Sequence, residues 1–337
     1  MNTISLNNFM LNLFKEIGLV LSKPISGMLS SLIVCLLRNN KAHLSVLARA
    51  LPMDESNEMA HMQRVRRFLS NKNISPAIAV LPLIRLLRPI LSELPEIVLT
   101  MDRTDWEKRQ KDINILSVAV AYEGRALPLF WIVLGRKGSS SFKHWKQVLI
   151  PVIEGLKQME WLSNIPIHVV ADREFASPKL AEWLKEDYGI DSTVRIKRSI
   201  YLSEDGKPET KISMLLKDMK KGTHSIMHSQ KVTRDCDFIM NILFKWDEEF
   251  DEPLIVATTL ENPEQADKTY AKRAWIEPMH KDWKSNAFEL EKTRVTDPKR
   301  IETLLIPVAF AYVFSVMEGK KRKIMAIYED LLRAKNA

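Results

Sequence analysis

The chain has 337 residues, 46% apolar content and a formal net charge of +8. This length is enough for a full hydrophobic core and predicts two or three domains. The basic balance favours a polyanionic partner. The two cysteines, Cys35 and Cys236, exclude a disulfide scaffold and a cysteine-based zinc site. They are typical of a protein of the reducing cytoplasm.

Residues 1–94 are predicted to be all helical. A helix at 44–50 is followed by a polar turn and by a second helix that reaches about Ser70. Helical spacing places three polar side chains of the second helix together on one face, and these are Gln63, Arg64 and Arg67. The pair resembles a helix-turn-helix that inserts into a major groove. An ordinary helical hairpin is the alternative that this pattern leaves open.

From Glu96 onward, short apolar runs typical of strands replace the helical pattern. Strands are predicted at 97–101, 113–122, 126–134, 167–171 and 192–196, with helices at 142–158 and 178–186. The first three strands have short links suited to antiparallel pairing, and the later ones have helical crossovers suited to parallel pairing. This order predicts an α/β protein with a ribonuclease H-like mixed-sheet core.

The core is predicted in two parts, residues 95–196 and 253–318, with a β-rich insertion at 197–252. The insertion is polar and basic, with strands expected at 228–233 and 238–246, and one more core strand follows at 253–259. An apolar run from Leu304 to Met317 contains Pro307 and predicts a buried helix rather than a membrane span. Residues 319–337 form a predicted basic C-terminal tail.

Three carboxylates are the candidate catalytic and metal-binding residues. Asp102 and Asp172 are each expected to end a central strand, and Glu277 comes from a helix against the same edge. Oxygen ligands without a histidine or cysteine cluster suit Mg²⁺ or Mn²⁺. Two such ions would activate water or a 3′-hydroxyl and stabilise the leaving oxygen of a phosphodiester. Asp105 competes with Asp102, and a capping or supporting role is favoured for Glu174.

The stretch YAKRAWIEPMHKDWK, residues 270–284, carries the remaining candidates. On one continuous helix, Tyr270, Arg273, Glu277 and Lys284 fall within a sector of about 60°. Glu277 would then face a metal ion, and the two cations would face phosphate oxygens. A solvated helix face with a chance charge pattern is the alternative.

Pro278 directly follows Glu277 and interrupts that helical pattern. An interior proline removes one backbone hydrogen bond and crowds the carbonyl four residues earlier, at a cost of about 3 kcal/mol. The segment is therefore expected either to kink or to form two helices. In both cases the position of Lys284 depends on the bend more than that of Arg273 does.

Three segments together resemble the signature regions of DDE transposases, and these are MDRTDW (101–106), VVADREF (169–175) and Y-x₂-R-x₃-E-x₆-K (270–284). They are most similar to the bacterial insertion-sequence branch with a Tyr-Arg-Glu-Lys signature. The resemblance implies metal-dependent cut-and-paste transposition and a homodimer that synapses two DNA ends. It also implies phosphate contacts for Tyr270, Arg273 and Lys284, and a cytoplasmic, nucleoid-associated bacterial protein.

Two other functions stay open on the sequence. One is a ribonuclease H-like nuclease that cuts DNA without joining it. The other is a transposase-derived DNA-binding repressor that uses only the N-terminal helices. The intact set of three carboxylates argues against the repressor, whereas Pro278 keeps it open.

Overall fold

The computed structural model describes residues 3–49, 51, 58–108, 111–204, 209–233 and 236–319. The chain begins with six helices, which are α1 (Thr3–Glu16), α2 (Lys23–Asn39), α3 (Leu44–Arg49), α4 (Glu58–Leu69), α5 (Ala77–Leu86) and α6 (Arg88–Leu91). The elements that the structure describes in this part are helices, and its role as a DNA-binding region stays a prediction. The turn of the predicted helix-turn-helix, at 52–57, lies outside them.

The core elements alternate between strands and helices after α6. They are β1 (Ile97–Lys108), β2 (Lys111–Tyr122), β3 (Arg125–Val133), α7 (Phe142–Lys157), β4 (Ile167–Ala171), α8 (Pro178–Tyr188) and β5 (Asp191–Arg195). The next segment contains β6 (Tyr201–Leu202), β7 (Thr210–Lys211), α9 (Ile212–Leu215), β8 (Thr223–Thr233) and β9 (Cys236–Trp246). The last elements are β10 (Leu254–Thr258), α10 (Ala266–Ala271), α11 (Ile276–Lys281) and α12 (Pro298–Gly319).

One mixed sheet of eight strands, in the order β3-β2-β1-β4-β5-β10-β9-β8, organises the molecule. β1, β4 and β5 are parallel to one another, and the other neighbours are antiparallel. The helical crossovers α7 and α8 make the parallel pairs possible, because such pairs need a long connection. This mixed α/β architecture is compatible with the predicted ribonuclease H-like core.

Alternation along β1 and β4 produces two different faces. Leu99, Met101 and Val169 point into the main hydrophobic core. Val98 and Val170 point the other way, where Trp275 packs against them. Residues of even number in these strands therefore face the segment that contains Trp275, since neighbouring side chains in a strand alternate between faces.

The two long strands of the predicted insertion, β8 and β9, belong to the same sheet as the core, whereas β6 and β7 form a separate two-stranded sheet. β9 pairs with β10 in an antiparallel register that joins Leu254 to Lys245, and β8 pairs with β9 at the sheet edge. The predicted boundary between residues 252 and 253 therefore falls between two paired strands. β8 is irregular, with register shifts on both sides of Lys231 and a positive φ of 54° at Ser229.

Helix α12 is longer than the predicted run, with 22 residues. By length and apolar composition alone it could cross a membrane, and 78% of its most apolar window is buried inside the protein. Trp131 of β3 donates its indole N–H to the carbonyl of Glu302, at 3.0 Å. Packing accounts for the apolar character of α12, because this helix also contacts α2 and α4.

Candidate active site

The parallel register of β1 and β4 places two aspartates side by side. Met101 pairs with Ala171, so Asp102 and Asp172 occupy the next matching positions. The prediction that Asp102 ends its strand is wrong, because β1 continues to Lys108 in a long ribbon with β2. The parallel partner β4 ends there. Asp102 therefore lies where β1 loses its parallel neighbour and continues paired with β2 alone.

Arg273 is the centre around which the three predicted carboxylates gather. Its Nη2 donates to Asp172 Oδ2 at 3.2 Å and lies 3.6 Å from Asp102 Oδ2. Its Nη1 donates to Glu277 Oε1 at 2.5 Å. Burial alone lowers the pKa of Arg273, but the carboxylates of Asp102 and Asp172 raise it above its ordinary value. The guanidinium is therefore a permanent cation shared by three acidic side chains.

Further contacts hold the Arg273 segment against the sheet. The hydroxyl of Tyr270 donates to Asp172 Oδ1 at 3.3 Å, and this side chain is buried. Thr100 donates through its hydroxyl to the backbone carbonyl of Arg273, also at 3.3 Å. Tyr270 thus orients Asp172 in this structure, while the phosphate contact that the resemblance implies for it stays a prediction.

The segment around Pro278 forms two helices rather than one. Helix α10 ends at Ala271, a 3₁₀ turn covers Lys272–Trp275, and α11 begins at Ile276. Pro278 consequently lies in the first turn of a new helix, where a missing N–H removes no hydrogen bond. Of the two predicted outcomes, a kink or two helices, the second is confirmed, and the assumption of one continuous helix is wrong.

Lys284 still reaches the carboxylate cluster despite this interruption. A π turn, Asp282–Asn286, follows α11 and contains it. Its Nζ donates to the carbonyl of Asp105 at 2.8 Å and lies 3.5 Å from Glu291 Oε1. Asp102, Glu277 and Lys284 line one cleft of about 370 Å³. This space is hereafter called the carboxylate cleft.

The carboxyl group of Asp102 is the most perturbed of the acidic groups in the cleft. Burial raises its pKa to about 6, and the neighbouring Asp172 and Glu277 add to this effect, although Arg273 opposes it. His280 lies beside it, with Nδ1 3.8 Å from Asp102 Oδ2. Burial lowers the pKa of His280 to about 3, so its ring is neutral at pH 7.

The sequence analysis did not single out His280. Its Nε2 is 2.8 Å from the hydroxyl of Ser117, which fixes the ring between β2 and Asp102. The available signal was its spacing, because residues three apart on a helix lie on the same side and His280 is three residues after Glu277. The sequence of the strands gave no comparable indication of the Ser117 contact.

The two competing acidic residues occupy other positions. Asp105 is in β1 and not in an exposed link as predicted, and it is three residues from Asp102, which places it on the opposite face of the strand. Its carboxylate lies 3.5 Å from Arg103 Nη1. Glu174 accepts from Arg103 Nε at 3.0 Å and from the Ser140 hydroxyl at 2.9 Å. It thereby ties β1 to the loop before α7.

The predicted DNA-reading residues lie on the surface of α4. Gln63, Arg64 and Arg67 are exposed, whereas Val65 and Leu69 are buried. The structure therefore separates this polar face from the carboxylate cleft and its residues. Their contact with DNA stays a prediction.

Within the described residues, no three acidic, histidine or cysteine side chains are placed so as to hold a metal ion together. The donor set itself suits a hard cation, since three carboxylates and no thiolate converge on one positive group. The convergence is on the guanidinium of Arg273. A group with one positive charge therefore stands where the resemblance implies metal ions.

The mixed sheet with acidic side chains on its central strands is compatible with the core of a transposase. The sequence profile described as a transposase DDE domain matches residues 93–314 of this chain. The protein therefore belongs to the family of transposases with a DDE domain, a family of DNA-cleaving enzymes. Its descent from the branch with the Tyr-Arg-Glu-Lys signature stays a prediction.

A solved structure is also similar to this chain, namely the cryo-EM structure of a piggyBac transposase synaptic complex with hairpin DNA. The identity is 12% and the TM-score 0.47, and the alignment covers 94% of this chain and 74% of that chain. The comparison with curated proteins found no match.

Proposed function

We propose that this protein is the DNA transposase of a bacterial insertion sequence, with cut-and-paste strand cleavage and strand transfer as its reactions. Asp102, Asp172 and Glu277 are its catalytic residues, and the DNA ends and target are its substrates. The observation that supports this proposal most directly is the convergence of three carboxylates on one cation, with two of them, Asp102 and Glu277, lining a cleft. It acts as a homodimer on two ends, in the bacterial cytoplasm.

The same three carboxylates would hold Mg²⁺ or Mn²⁺, and two such ions supply Lewis-acid activation of the attacking and leaving oxygens when bound. Asp102 is partly buried and has a pKa near 6, and a further cation beside it would favour its charged form and lower that pKa. Arg273 would then release its carboxylates and become free to contact a phosphate oxygen. Its Nε has no hydrogen-bond partner within the described part of the chain, which leaves one donor available.

Lys284 is the second phosphate-binding cation in this proposal. Its side chain lies in the carboxylate cleft and is anchored on the carbonyl of Asp105. Arg273 presents a planar fork of donors, while Lys284 is a point charge, so the two recognise phosphate differently. Tyr270 supports the centre by its hydrogen bond to Asp172.

The test uses purified full-length protein, Mg²⁺ or Mn²⁺, and DNA fragments that carry the sequences flanking its own coding region. Joined products support the transposase, whereas cut ends without joining identify a nuclease. Binding without cleavage identifies the transposase-derived repressor. A scrambled fragment of equal length serves as the control for recognition of the ends.

A further inference from the structure

A second cleft, of about 810 Å³, lies between the helices α3 and α4 and the segment 292–300. Its lining contains five arginine and lysine side chains, which are Arg49, Arg66, Lys292, Arg294 and Arg300. All five are exposed, and among the described residues of the lining the one carboxylate is Asp297. We call this surface the basic cleft.

Most of the positive charge in the basic cleft is not neutralised. Within the described part of the chain, no carboxylate lies within 4 Å of the guanidinium groups of Arg66, Arg294 and Arg300. The carboxylate of Asp297 accepts instead from the backbone N–H of Arg300 at 3.0 Å. Three uncompensated guanidinium groups in one concave surface favour a polyanion.

The basic cleft and the carboxylate cleft are lined by neighbouring residues of one segment. Glu291 lines the carboxylate cleft, and Lys292 lines the basic one. The same segment is tied to the loop between α2 and α3, because the Ala42 N–H donates to the carbonyl of Phe288 at 2.8 Å. A duplex bound in the basic cleft would therefore lie beside the segment that also lines the carboxylate cleft.

We propose that the basic cleft binds the phosphate backbone of the double-stranded DNA whose end is processed in the carboxylate cleft. This inference rests on the proposed function and adds the path of the substrate. Guanidinium forks bind phosphate oxygens in pairs and carry no sequence preference in doing so. The cleft therefore fixes the position of the duplex, and its contribution to affinity depends strongly on salt.

This surface differs from the face of α4 that the sequence pattern indicated. At about 100° per residue, Arg66 lies roughly 160° from Arg64 and 100° from Arg67 around the helix axis, but only about 60° from Gln63. Met62, four residues before Arg66, lies on its side and also lines the basic cleft. Of the residues of α4, the basic cleft therefore assigns DNA binding to Arg66 rather than to Arg64 and Arg67.

The test measures binding of a 30-bp random-sequence DNA duplex by fluorescence anisotropy, with salt varied between 50 and 200 mM. The cleft variant is R66A/R294A/R300A, and the helix-face variant is Q63A/R64A/R67A. The charge-matched control is K15A/K23A/K143A, which removes three exposed positive charges from other surfaces.

We expect the cleft variant to bind at least about tenfold more weakly at 100 mM salt. Its slope of log K against log salt should fall by about 2 to 3, since each lost phosphate contact removes about 0.9. The charge-matched control should stay within about twofold of wild type. Lysine at the same three positions should restore most of the slope, which also shows that the fold tolerates substitution there.

Three results would overturn the inference: an unchanged slope in the cleft variant, an equal loss in the charge-matched control, or tighter binding of a 30-bp RNA duplex through the same residues. The proposed function fails separately. If wild type cleaves and joins end DNA while the cleft variant binds normally, only the path of the substrate is wrong. If wild type neither binds nor cleaves DNA, the function itself is wrong.

Discussion

The carboxylate cleft and the basic cleft are lined in part by neighbouring residues of one segment, yet their charges are organised in opposite ways. In the first, four charged groups are coupled through one guanidinium whose side chain is only 17% exposed. In the second, the exposed arginines Arg66, Arg294 and Arg300 have no acidic partner within the described residues. In the carboxylate cleft, the charge state of each group therefore depends on the other groups. In the basic cleft, each arginine can bind a phosphate independently of the others.

This difference assigns the cleavage chemistry to the carboxylate cleft and the affinity for DNA to the basic cleft. Coupled, partly buried charges respond strongly to protonation and to added cations, because solvent screens them little. Exposed charges respond mainly to ionic strength. Four experiments test how sharply the two surfaces divide these properties.

The largest effect is expected for the three carboxylates. Asp102→Ala, Asp172→Ala and Glu277→Ala should each reduce cleavage of end DNA about a thousandfold or more, since metal-assisted stabilisation is worth several kcal/mol. DNA binding should stay near wild type, because the basic cleft is unchanged. Asp105→Ala is the matched control and should be milder. Full loss in Asp105→Ala with activity in Asp102→Ala would reassign the first ligand.

The coupling itself is measured by a double-mutant cycle on Arg273→Ala and Asp172→Ala. Arg273 and Asp172 are partly buried, with side chains 17% and 32% exposed, so removing one partner costs less than the about 3–5 kcal/mol of a fully buried pair. The cycle should show an interaction above about 1 kcal/mol in metal-free urea unfolding. Arg66→Ala and Arg294→Ala should add in DNA binding to within about 0.5 kcal/mol. Additivity at Arg273 would mean that the cluster is not coupled.

The pH dependence of stability sharpens the same contrast. The pKa of Asp102 is about 6 in the folded protein and 3.8 ordinarily, so between these values the folded state binds more protons than the unfolded state. Stability from this group therefore falls as pH rises through that window, by up to about 3 kcal/mol. The substitution Asp102→Asn removes this loss of stability, because the asparagine side chain does not ionise.

The measurement compares Asp102→Asn with wild type in EDTA at several pH values. The variant should gain stability relative to wild type as the pH rises from about 4 to 7.5. The triple variant R66A/R294A/R300A should show no such trend relative to wild type. A constant difference between Asp102→Asn and wild type at all pH values would contradict the raised pKa.

The smallest effect is expected for Pro278→Ala. Because Pro278 lies in the first turn of α11, its replacement restores no lost helical hydrogen bond and removes the rigidity of the unfolded chain. Stability should fall by about 0.5–1 kcal/mol, and cleavage should stay within about twofold. A large gain in stability would show that the proline strains the segment, and Ala274→Gly serves as a comparison at the 3₁₀ turn.

The sequence predicted the order of strands well, because apolar runs and turn residues are local signals. It misplaced the end of β1, since all residues from Arg103 to Lys108 except Trp106 are polar, and this segment pairs only with β2. The β1 half of the ribbon has no apolar alternation to detect, although Ile113 and Ile115 in the β2 half are buried. The pairing of Asp102 with Asp172 was nevertheless predictable, because it depends on the neighbouring apolar runs alone.

The two clefts were predictable to different degrees. Arg273 and Glu277 are four residues apart, so helical spacing predicted that they lie on the same side of the segment. This prediction is correct despite the 3₁₀ turn between them. The basic cleft could not be seen in this way, because Arg66 and Arg294 are more than two hundred residues apart in the chain. Their proximity depends on how the N-terminal helices pack on the core, which no local pattern encodes.

The irregular outer strand β8 has a consequence for self-association. A straight, open sheet edge invites another chain to add a strand. Here the bulges near Lys231 and the left-handed backbone of Ser229 break the row of donors and acceptors. Ser203 covers part of it by exchanging two backbone hydrogen bonds with Lys231. The β8 edge of the eight-stranded sheet is thus protected against the addition of a strand from another chain.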